Sequence, residues 1–203
     1  MLADGSSVLH VGYTHPLVLG LDVTGRPLAW LSWAEAAVLY CREKVAWTAG
    51  ESSTLLMGGT NRLSGQRSYL ELSSIIALRT GTARPHRDTP TLCNANLFAR
   101  DRYHCLYCGK RFSGSSLSRD HIIPTSRGGH DVWSNAATSC KRCNGFKMNR
   151  TPEEAAMSLL AVPFVPSFSE HLILSNKRIL ADQMEFLRSH VPAHRRGAYA
   201  LVS

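Results

Sequence analysis

The residue types most capable of chemistry are concentrated between Tyr103 and Arg150. Two Cys-x-x-Cys pairs lie in this stretch, and four thiols so paired are the ligand set of a closed tetrahedral zinc site. The four residues are Cys105, Cys108, Cys140 and Cys143. The 31 residues between the pairs (109–139) exceed the roughly 15–20 that separate the pairs of a common zinc ribbon. We therefore expect a folded insert between the pairs, and the function should be sought there.

A second set of residues, Asp120, His121, Asn135 and Asn144, lies in or beside this insert. A neutral imidazole is the side chain best suited to accept a proton near pH 7. Carboxylate and amide oxygens are the ligands that Mg²⁺ or Mn²⁺ prefers, and such an ion supplies Lewis-acid catalysis. These types together predict phosphodiester hydrolysis, with His121 activating a water and a divalent cation held by Asp120 and Asn144.

The charge of the chain favours a polyanionic partner. The formal net charge is +8 and the sequence pI is about 9.5. Ten Lys or Arg residues against three Asp residues lie between Phe98 and Arg150, so this segment carries most of the excess. A nucleic acid is one such partner. The candidates for contacts to its phosphates are Arg119, Arg127, Lys141, Arg142, Lys147 and Arg150.

The N-terminal part reads as a small α/β module. Residues 17–21 and 28–31 predict two strands joined by a turn, and residues 69–78 predict a third. Ser32 and Glu35 have capping-box spacing. The helix behind them is expected to bury a face that includes Cys41 as a small core residue; its positions are Ala34, Ala37, Val38, Cys41 and Val45. Residues 50–66 predict a polar loop, and 80–94 a linker.

The elements that position the candidate site follow in the next part of the chain. Residues 96–101 predict a short helix, 118–124 a short strand, and 135–148 a helical run carrying Asn144. A strand pair followed by a helix would bring Asp120, His121 and Asn144 to one point. Thr151 to Leu160 predicts a further helix, and the Ser167–Glu170 spacing predicts the start of C-terminal helices. The expected class is α+β.

Three parts are expected along the chain. Residues 1–90 form the α/β module, 91–161 the central domain with the zinc site, and 162–203 a helical extension. The N-terminus shows no basic and apolar signal segment, and no apolar run is long enough for a bilayer. Six cysteines, four of them in metal spacing, favour a reducing compartment over a disulfide framework. We expect a cytoplasmic protein without a membrane partner.

The motifs together resemble a known family. Cys-x-x-Cys, then Asp-His-Ile-x-Pro-x-Ser-x-Gly-Gly, Trp-x-Asn and Cys-x-x-Cys-Asn-x-x-Lys are similar to the HNH endonucleases of the ββα-metal class. The resemblance covers roughly residues 96–160. Leu21-Asp22, Gly25-Arg26-Pro27-Leu28, Ser32-Trp33 and Ala37-Val38-Leu39 also resemble the N-terminal α/β module of a bacterial and phage subgroup of that family.

The resemblance implies a role for each candidate residue. His121 takes the position of the general base and Asp120 that of a metal ligand. Asn135 takes the position of the asparagine that orients the loop carrying the base through backbone hydrogen bonds. Asn144 stands where a metal-binding histidine is common, which makes this an HNN variant. The resemblance implies DNA as the substrate and products that carry 3′-hydroxyl and 5′-phosphate ends.

Two other functions remain open from the sequence. A catalytically silent zinc module would only bind nucleic acid, and a ribonuclease would use the same chemistry because attack by water does not need the 2′-hydroxyl. One catalytic centre cuts one strand, so cleavage of both strands would need a homodimer or two successive nicks. Strand number, oligomeric state and sequence preference are not fixed by the residues.

Overall fold

The computed structural model describes residues 16–79 and 88–199, so most of the predicted 80–94 linker lies outside the described residues. The chain divides into two units. The described residues of Met1–Thr82 with Arg178–Gln183 form the first unit, and those of Ala83–Lys177 with Met184–Ser203 form the second. Helices and paired strands both occur, which confirms the α+β class.

The first unit is built on a four-stranded sheet. Its strands are β1 (Val18–Leu21), β2 (Pro27–Leu31), β3 (Val45–Thr60) and β4 (Arg67–Leu78). The strand order is β2-β1-β4-β3, with β1 parallel to β4 and antiparallel to β2, and β3 antiparallel to β4. The three strands predicted from their apolar residues, β1, β2 and β4, are confirmed.

Helix α1 (Trp33–Cys41) begins at the predicted capping box, in which Ser32 and Glu35 bond each other's backbone. Its buried face matches the predicted one only at Ala37, which packs on the core together with Leu39, Tyr40 and the fully buried Ala36. The prediction is wrong at Ala34, Val38 and Cys41, which are exposed. Glu35 is the only charged residue of this short helix, so apolar periodicity cannot choose among its faces.

The predicted loop over residues 50–66 is wrong up to Thr60, and only 61–66 form the turn between two strands. Strand β3 continues to Thr60 and pairs with β4 along its length. Its register slips between Ala49 and Ser53, where Gly50 takes a left-handed φ of 87°. Glycine adopts that conformation without the steric cost of a Cβ, so the strand passes the irregularity and continues. The polar and glycine residues of this segment therefore predicted a loop where the chain forms an exposed β-hairpin.

The second unit contains the central domain. Its regular elements up to residue 175 are α2 (Asn94–Arg100), β5 (Leu117–His121), β6 (Ala136–Cys140), α3 (Lys141–Lys147) and α4 (Phe168–Ser175). Helix α5 (Ala181–Ser189) contributes residues to both units. Short 3₁₀ turns occupy Gly114–Ser116, Thr125–Arg127, Trp133–Asn135 and Ala193–Tyr199. The short helix predicted over 96–101 and the capping box at Ser167 are confirmed.

A small apolar core holds α2 against the β5–β6 hairpin. It consists of Leu97, Phe98, Leu117, Trp133 and Ala136. The buried guanidinium of Arg100 donates to the backbone carbonyls of Trp133, Ala136 and Phe164. Because buried carbonyl groups need donors, this one side chain fixes the chain segment that enters β6.

One helical prediction in this unit is partly wrong and another is wholly wrong. Of the run predicted over 135–148, residues 141–147 do form α3, which carries Asn144. Residues 136–140 instead form β6, in which every residue is buried and pairs with β5, so tertiary burial outweighs the helical preference of its alanines. The predicted helix over 151–160 does not form either. Thr151 and Glu154 cap each other as expected, but Ala156 takes a φ of 53° and ends the turn. Within the described ranges, no helix is both long and apolar enough to cross a bilayer.

Candidate functional site

The four predicted zinc ligands come together. The Sγ atoms of Cys105, Cys108, Cys140 and Cys143 all lie within 4.8 Å of one another. The first pair sits in a tight turn closed by Gly109, whose amide donates to the Cys105 carbonyl. The second pair joins the end of β6 to the first turn of α3, where the Cys143 amide donates to the Cys140 sulfur at 3.4 Å. This cluster can hold one tetrahedral metal ion, and zinc fits a set of four thiols best.

The electrostatics of one ligand favour metal binding. Burial opposes ionisation of Cys105, but hydrogen bonds from the backbone of Cys108, Cys140 and Tyr107 outweigh it and lower the pKa of its thiol to about 7. The thiolate is the form that binds a metal. Burial and the neighbouring thiols raise the pKa values of Cys108 and Cys143, so binding of a metal ion must release protons from those ligands.

The β5–β6 hairpin and α3 surround a cleft of about 310 Å³. Strand β5 ends at Asp120 and His121, and Asn144 lies at the middle of α3, so the three side chains line the same cleft. The lining residues are Arg119, Asp120, His121, Pro124, Thr125, Ser126, Asn144, Met148 and Asn149. The structure thus brings together the three residues from which the sequence predicts hydrolytic chemistry.

Both carboxylate oxygens of Asp120 accept hydrogen bonds. Lys147, itself fully buried, donates from Nζ to Oδ1 at 3.0 Å, and the hydroxyl of Tyr107 donates to Oδ2. The same ammonium donates to the carbonyl of His121 at 2.7 Å. Burial, with donation to Asp120, raises the pKa of Tyr107, so its hydroxyl stays protonated. Lys147 therefore orients Asp120 and His121 from the protein interior. The prediction that Lys147 contacts a DNA phosphate needs correction, because its ammonium group is buried.

The contacts of Asp120 and Asn144 leave oxygen donors for a divalent cation. A carboxylate has about four lone-pair sites, so Asp120 keeps acceptor capacity beyond its two hydrogen bonds. Asn144 donates from Nδ2 to the Ser118 hydroxyl at 2.9 Å, and its amide oxygen is then the atom available to a cation. Among the described residues, the cysteine cluster is the one close group of three or more His, Cys, Asp or Glu ligands. Asp120 and Asn144 offer two oxygens here, so Mg²⁺ or Mn²⁺ bound in the cleft would take its remaining ligands from water or substrate.

Asn135 shapes the loop behind the cleft. Its Oδ1 accepts from the amide of Ile123 at 2.9 Å, and its Nδ2 donates to the carbonyls of Ile123 and His130 at 3.0 and 2.9 Å. Gly129 lies so close that a Cβ there would stand 1.8 Å from the Ile123 carbonyl oxygen. These are the backbone hydrogen bonds that the resemblance implied for Asn135, and they close the loop that follows His121.

Sequence reasoning missed Asp131, which contacts two residues that line the cleft, Arg119 and His121. Its Oδ1 accepts from His121 Nε2 at 2.9 Å, and both of its oxygens accept from Arg119 Nη1 at 2.8 Å. The hydrogen bond from His121 and the charge of Arg119 lower the pKa of Asp131 despite some desolvation. The signal was present, since Asp131 is the one acidic residue between Asp120 and Glu153.

The remaining basic residues differ in their surroundings. Arg127 pairs with Glu154, and Arg150 stacks on Phe146 and donates to its carbonyl. Lys141 and Arg142 are exposed and line a groove of about 690 Å³ together with Lys110. The mouth of the cysteine cluster opens into the same groove. These three exposed cations are open to an incoming anion, and Lys110 was not predicted.

A hairpin and a helix around a polar cleft, joined by a four-thiol cluster, define a ββα metal-site unit. Residues 105–160 match the family model described as HNH endonuclease, a span that includes both cysteine pairs and every residue predicted for the cleft. The match identifies this segment with the HNH endonuclease family and indicates nuclease activity. No match to the chain was found among curated proteins.

Proposed function

We propose that the protein is a metal-dependent HNH endonuclease that hydrolyses phosphodiester bonds of DNA. The observation that supports this most directly is the single cleft lined by Asp120, His121 and Asn144, inside the segment that matches the family. These side chains supply a base and two oxygen ligands within reach of one substrate phosphate.

His121 acts as the general base in this proposal. Its imidazole accepts a proton from the water that attacks phosphorus, and the bond from phosphorus to the 3′ oxygen breaks. The products then carry 3′-hydroxyl and 5′-phosphate ends. Mg²⁺ or Mn²⁺ held by Asp120 and Asn144 would supply Lewis-acid stabilisation of the charge that develops on the leaving oxygen. Asn135 keeps the loop after His121 closed and so preserves the shape of the cleft.

Zinc on the four cysteines has a structural role. It ties the turn at Cys105 and Cys108 to the junction of β6 and α3, where Cys140 and Cys143 lie. That junction leads into Asn144, so the metal fixes the helix that lines the cleft. A closed set of four thiolates leaves no open position for substrate, which excludes this ion from the chemical step.

DNA phosphates are expected on the exposed cations of the zinc groove. Lys141 and Arg142 there support the prediction, and Lys110 joins them. Arg127 and Arg150 lie on the surface with partners that a phosphate can replace or share. Lys147 is removed from this set because it is buried against Asp120, and Arg119 because its side chain is only 24% exposed and bonds both oxygens of Asp131. A nucleic-acid substrate also agrees with the net charge of +8.

Two further assignments complete the proposal. Six free thiols among the described residues suit the reducing cytoplasm. One cleft per chain cuts one strand at a time, so cleavage of both strands requires either a homodimer or two successive nicks.

The test is nicking of supercoiled plasmid with Mg²⁺ or Mn²⁺, comparing the unaltered protein with His121→Ala and His130→Ala. His130 lies in the same loop and contributes only its carbonyl to the Asn135 network, so its variant is a matched control. We expect nicks from the unaltered protein and His130→Ala, and almost none from His121→Ala. If all three bind DNA and none cuts, the protein is a silent zinc module. Cleavage of single-stranded RNA in preference to DNA would support a ribonuclease.

A further inference from the structure

Asp131 lies between two side chains of β5. Residues 119 and 121 are two apart on a strand, so Arg119 and His121 project from the same face. The Asp131 carboxylate, from the loop that follows, reaches both of them. Its Oδ1 is 2.9 Å from His121 Nε2 and 2.8 Å from Arg119 Nη1. The three residues form a chain that runs from a guanidinium through a carboxylate to the imidazole.

The contact at Nε2 defines the chemistry of the ring. A carboxylate only accepts, so the proton of the neutral imidazole stays on Nε2 and donates to Asp131. Nδ1 then carries the lone pair that can take a proton from water. The same bond restricts rotation of the ring, whose side chain is 25% exposed and would otherwise be free to turn.

We propose that Asp131 is the positioning residue for His121, fixing its orientation and tautomer, and that Arg119 acts by holding Asp131. The inference rests on the proposed function, in which His121 is the general base. It also gives Arg119 a role other than the phosphate contact predicted for it. Arg119 Nη1 lies 2.8 Å from both oxygens of the carboxylate, a charge-assisted contact that selects one orientation of Asp131.

Stability is a poor explanation for the arrangement. The Asp131 side chain is 53% exposed, and ion pairs at such sites contribute little to folding because solvent screens them. If Asp131 formed only a surface ion pair, its removal would therefore change neither folding nor turnover. A positioning role predicts loss of turnover in a protein that folds normally. Turnover measured in one set of Asp131 variants distinguishes the two explanations.

The first measurement is steady-state cleavage of a duplex by Asp131→Ala and Asp131→Asn. We expect Asp131→Ala to lower kcat about 10-fold or more, with KM nearly unchanged, an effect smaller than the whole contribution of a general base, which is roughly 10²–10⁴-fold. Asp131→Asn keeps an oxygen that accepts from Nε2, so it should recover part of the lost kcat. Glu153→Gln, which removes an exposed carboxylate of the same unit, should match the unaltered protein.

The second measurement does not depend on activity. ¹⁵N NMR of imidazole nitrogens, with the His121 signals assigned from His121→Ala, should show the Nε2–H tautomer in the unaltered protein and a mixture in Asp131→Ala. An unchanged kcat in Asp131→Ala, or an unchanged tautomer, overturns the positioning role while leaving the nuclease proposal intact. If the unaltered protein cuts no nucleic acid, the nuclease proposal fails and the positioning role falls with it, whatever the tautomer.

Discussion

Lys147 and Asp120 form a buried ion pair at the centre of the ββα unit. The ammonium lies 3.0 Å from the carboxylate, and the side chains are 1% and 4% exposed. Because Lys147 also donates to the His121 carbonyl, one charge from α3 fixes two consecutive residues at the end of β5. Breaking such a pair leaves a buried charge without compensation, which costs far more than the pair itself contributes.

Replacing Lys147 by Met should therefore destabilise the second unit. We expect Lys147→Met to lower the free energy of unfolding by about 3–5 kcal/mol, the range for removing one partner of a buried pair. Urea denaturation at a fixed zinc concentration measures it. Lys141→Met is the matched control, because Lys141 is exposed on the same helix and its removal should change stability by no more than about 0.5 kcal/mol. Equal effects of the two variants would show that the pair does not support the fold.

Substitution by alanine should have opposite effects on stability at two glycines of the central domain, Gly129 and Gly145. At Gly129 a Cβ would meet the Ile123 carbonyl at 1.8 Å and the Asn135 amide nitrogen at 2.9 Å, so Gly129→Ala must displace the loop that Asn135 closes. At Gly145, within α3, a Cβ meets nothing within 4 Å. Gly145→Ala should stabilise the helix by up to about 1 kcal/mol, since alanine is the better helix former.

Thermal unfolding and plasmid nicking of both variants measure this contrast. We expect Gly129→Ala to lower Tm and to lose most of the nicking activity. Gly145→Ala should keep its activity, with Tm unchanged or raised. A Gly129→Ala protein with unaltered Tm and activity would show that the loop can move without cost, which would contradict the positioning role of Asn135.

The chemistry of the site was more predictable than its surroundings. Two Cys-x-x-Cys pairs and the Asp120–His121 dipeptide are local patterns, and paired thiols have few other uses, so the metal cluster could be found from spacing alone. The role of Lys147 could not be predicted from the sequence. A lysine in a basic segment predicts a surface contact, and only the approach of α3 to β5 buries it against Asp120.

The errors in the fold have the same origin. Strand β6 contains two alanines, a threonine and a serine, and nothing in that composition reveals that β5 lies beside it. Strand β3 contains three glycines and reads as a loop until β4 supplies its partner. Strand pairing is a non-local property, whereas the capping boxes at Ser32 and Ser167 are local and were predicted correctly.

Zinc should be integral to the central domain. We expect about one zinc per chain by elemental analysis, and loss of that metal in Cys140→Ser, because a four-thiol site binds weakly once a ligand is removed. Removal by a strong chelator should unfold the segment that carries the cleft and abolish nicking. Cys41→Ser is the control, since Cys41 is exposed and outside the cluster. A metal-free protein with unchanged circular dichroism would contradict the structural role.

A buried carboxylate in α4 should make the second unit sensitive to acid. Burial of Glu170 opposes its ionisation, but two hydrogen bonds from Arg195 at 2.7 and 2.9 Å and one from the Ser167 amide outweigh it and lower its pKa. A group with a lowered folded pKa stabilises the fold fully above its unfolded pKa, about 4.3 for glutamate. That contribution is lost as the pH falls through the lower folded value.

Unfolding free energies measured between pH 6 and pH 3 should therefore fall less steeply in Glu170→Gln than in the unaltered protein. The variant should be less stable at pH 6, because Arg195 loses its charged partner, and the two curves should converge toward acid. Some slope will remain, since Asp22, Asp131 and Asp182 also have lowered pKa values. Glu185→Gln removes an exposed carboxylate of α5 and should keep the original slope. Parallel curves for Glu170→Gln and the unaltered protein would show that Glu170 does not carry the acid sensitivity.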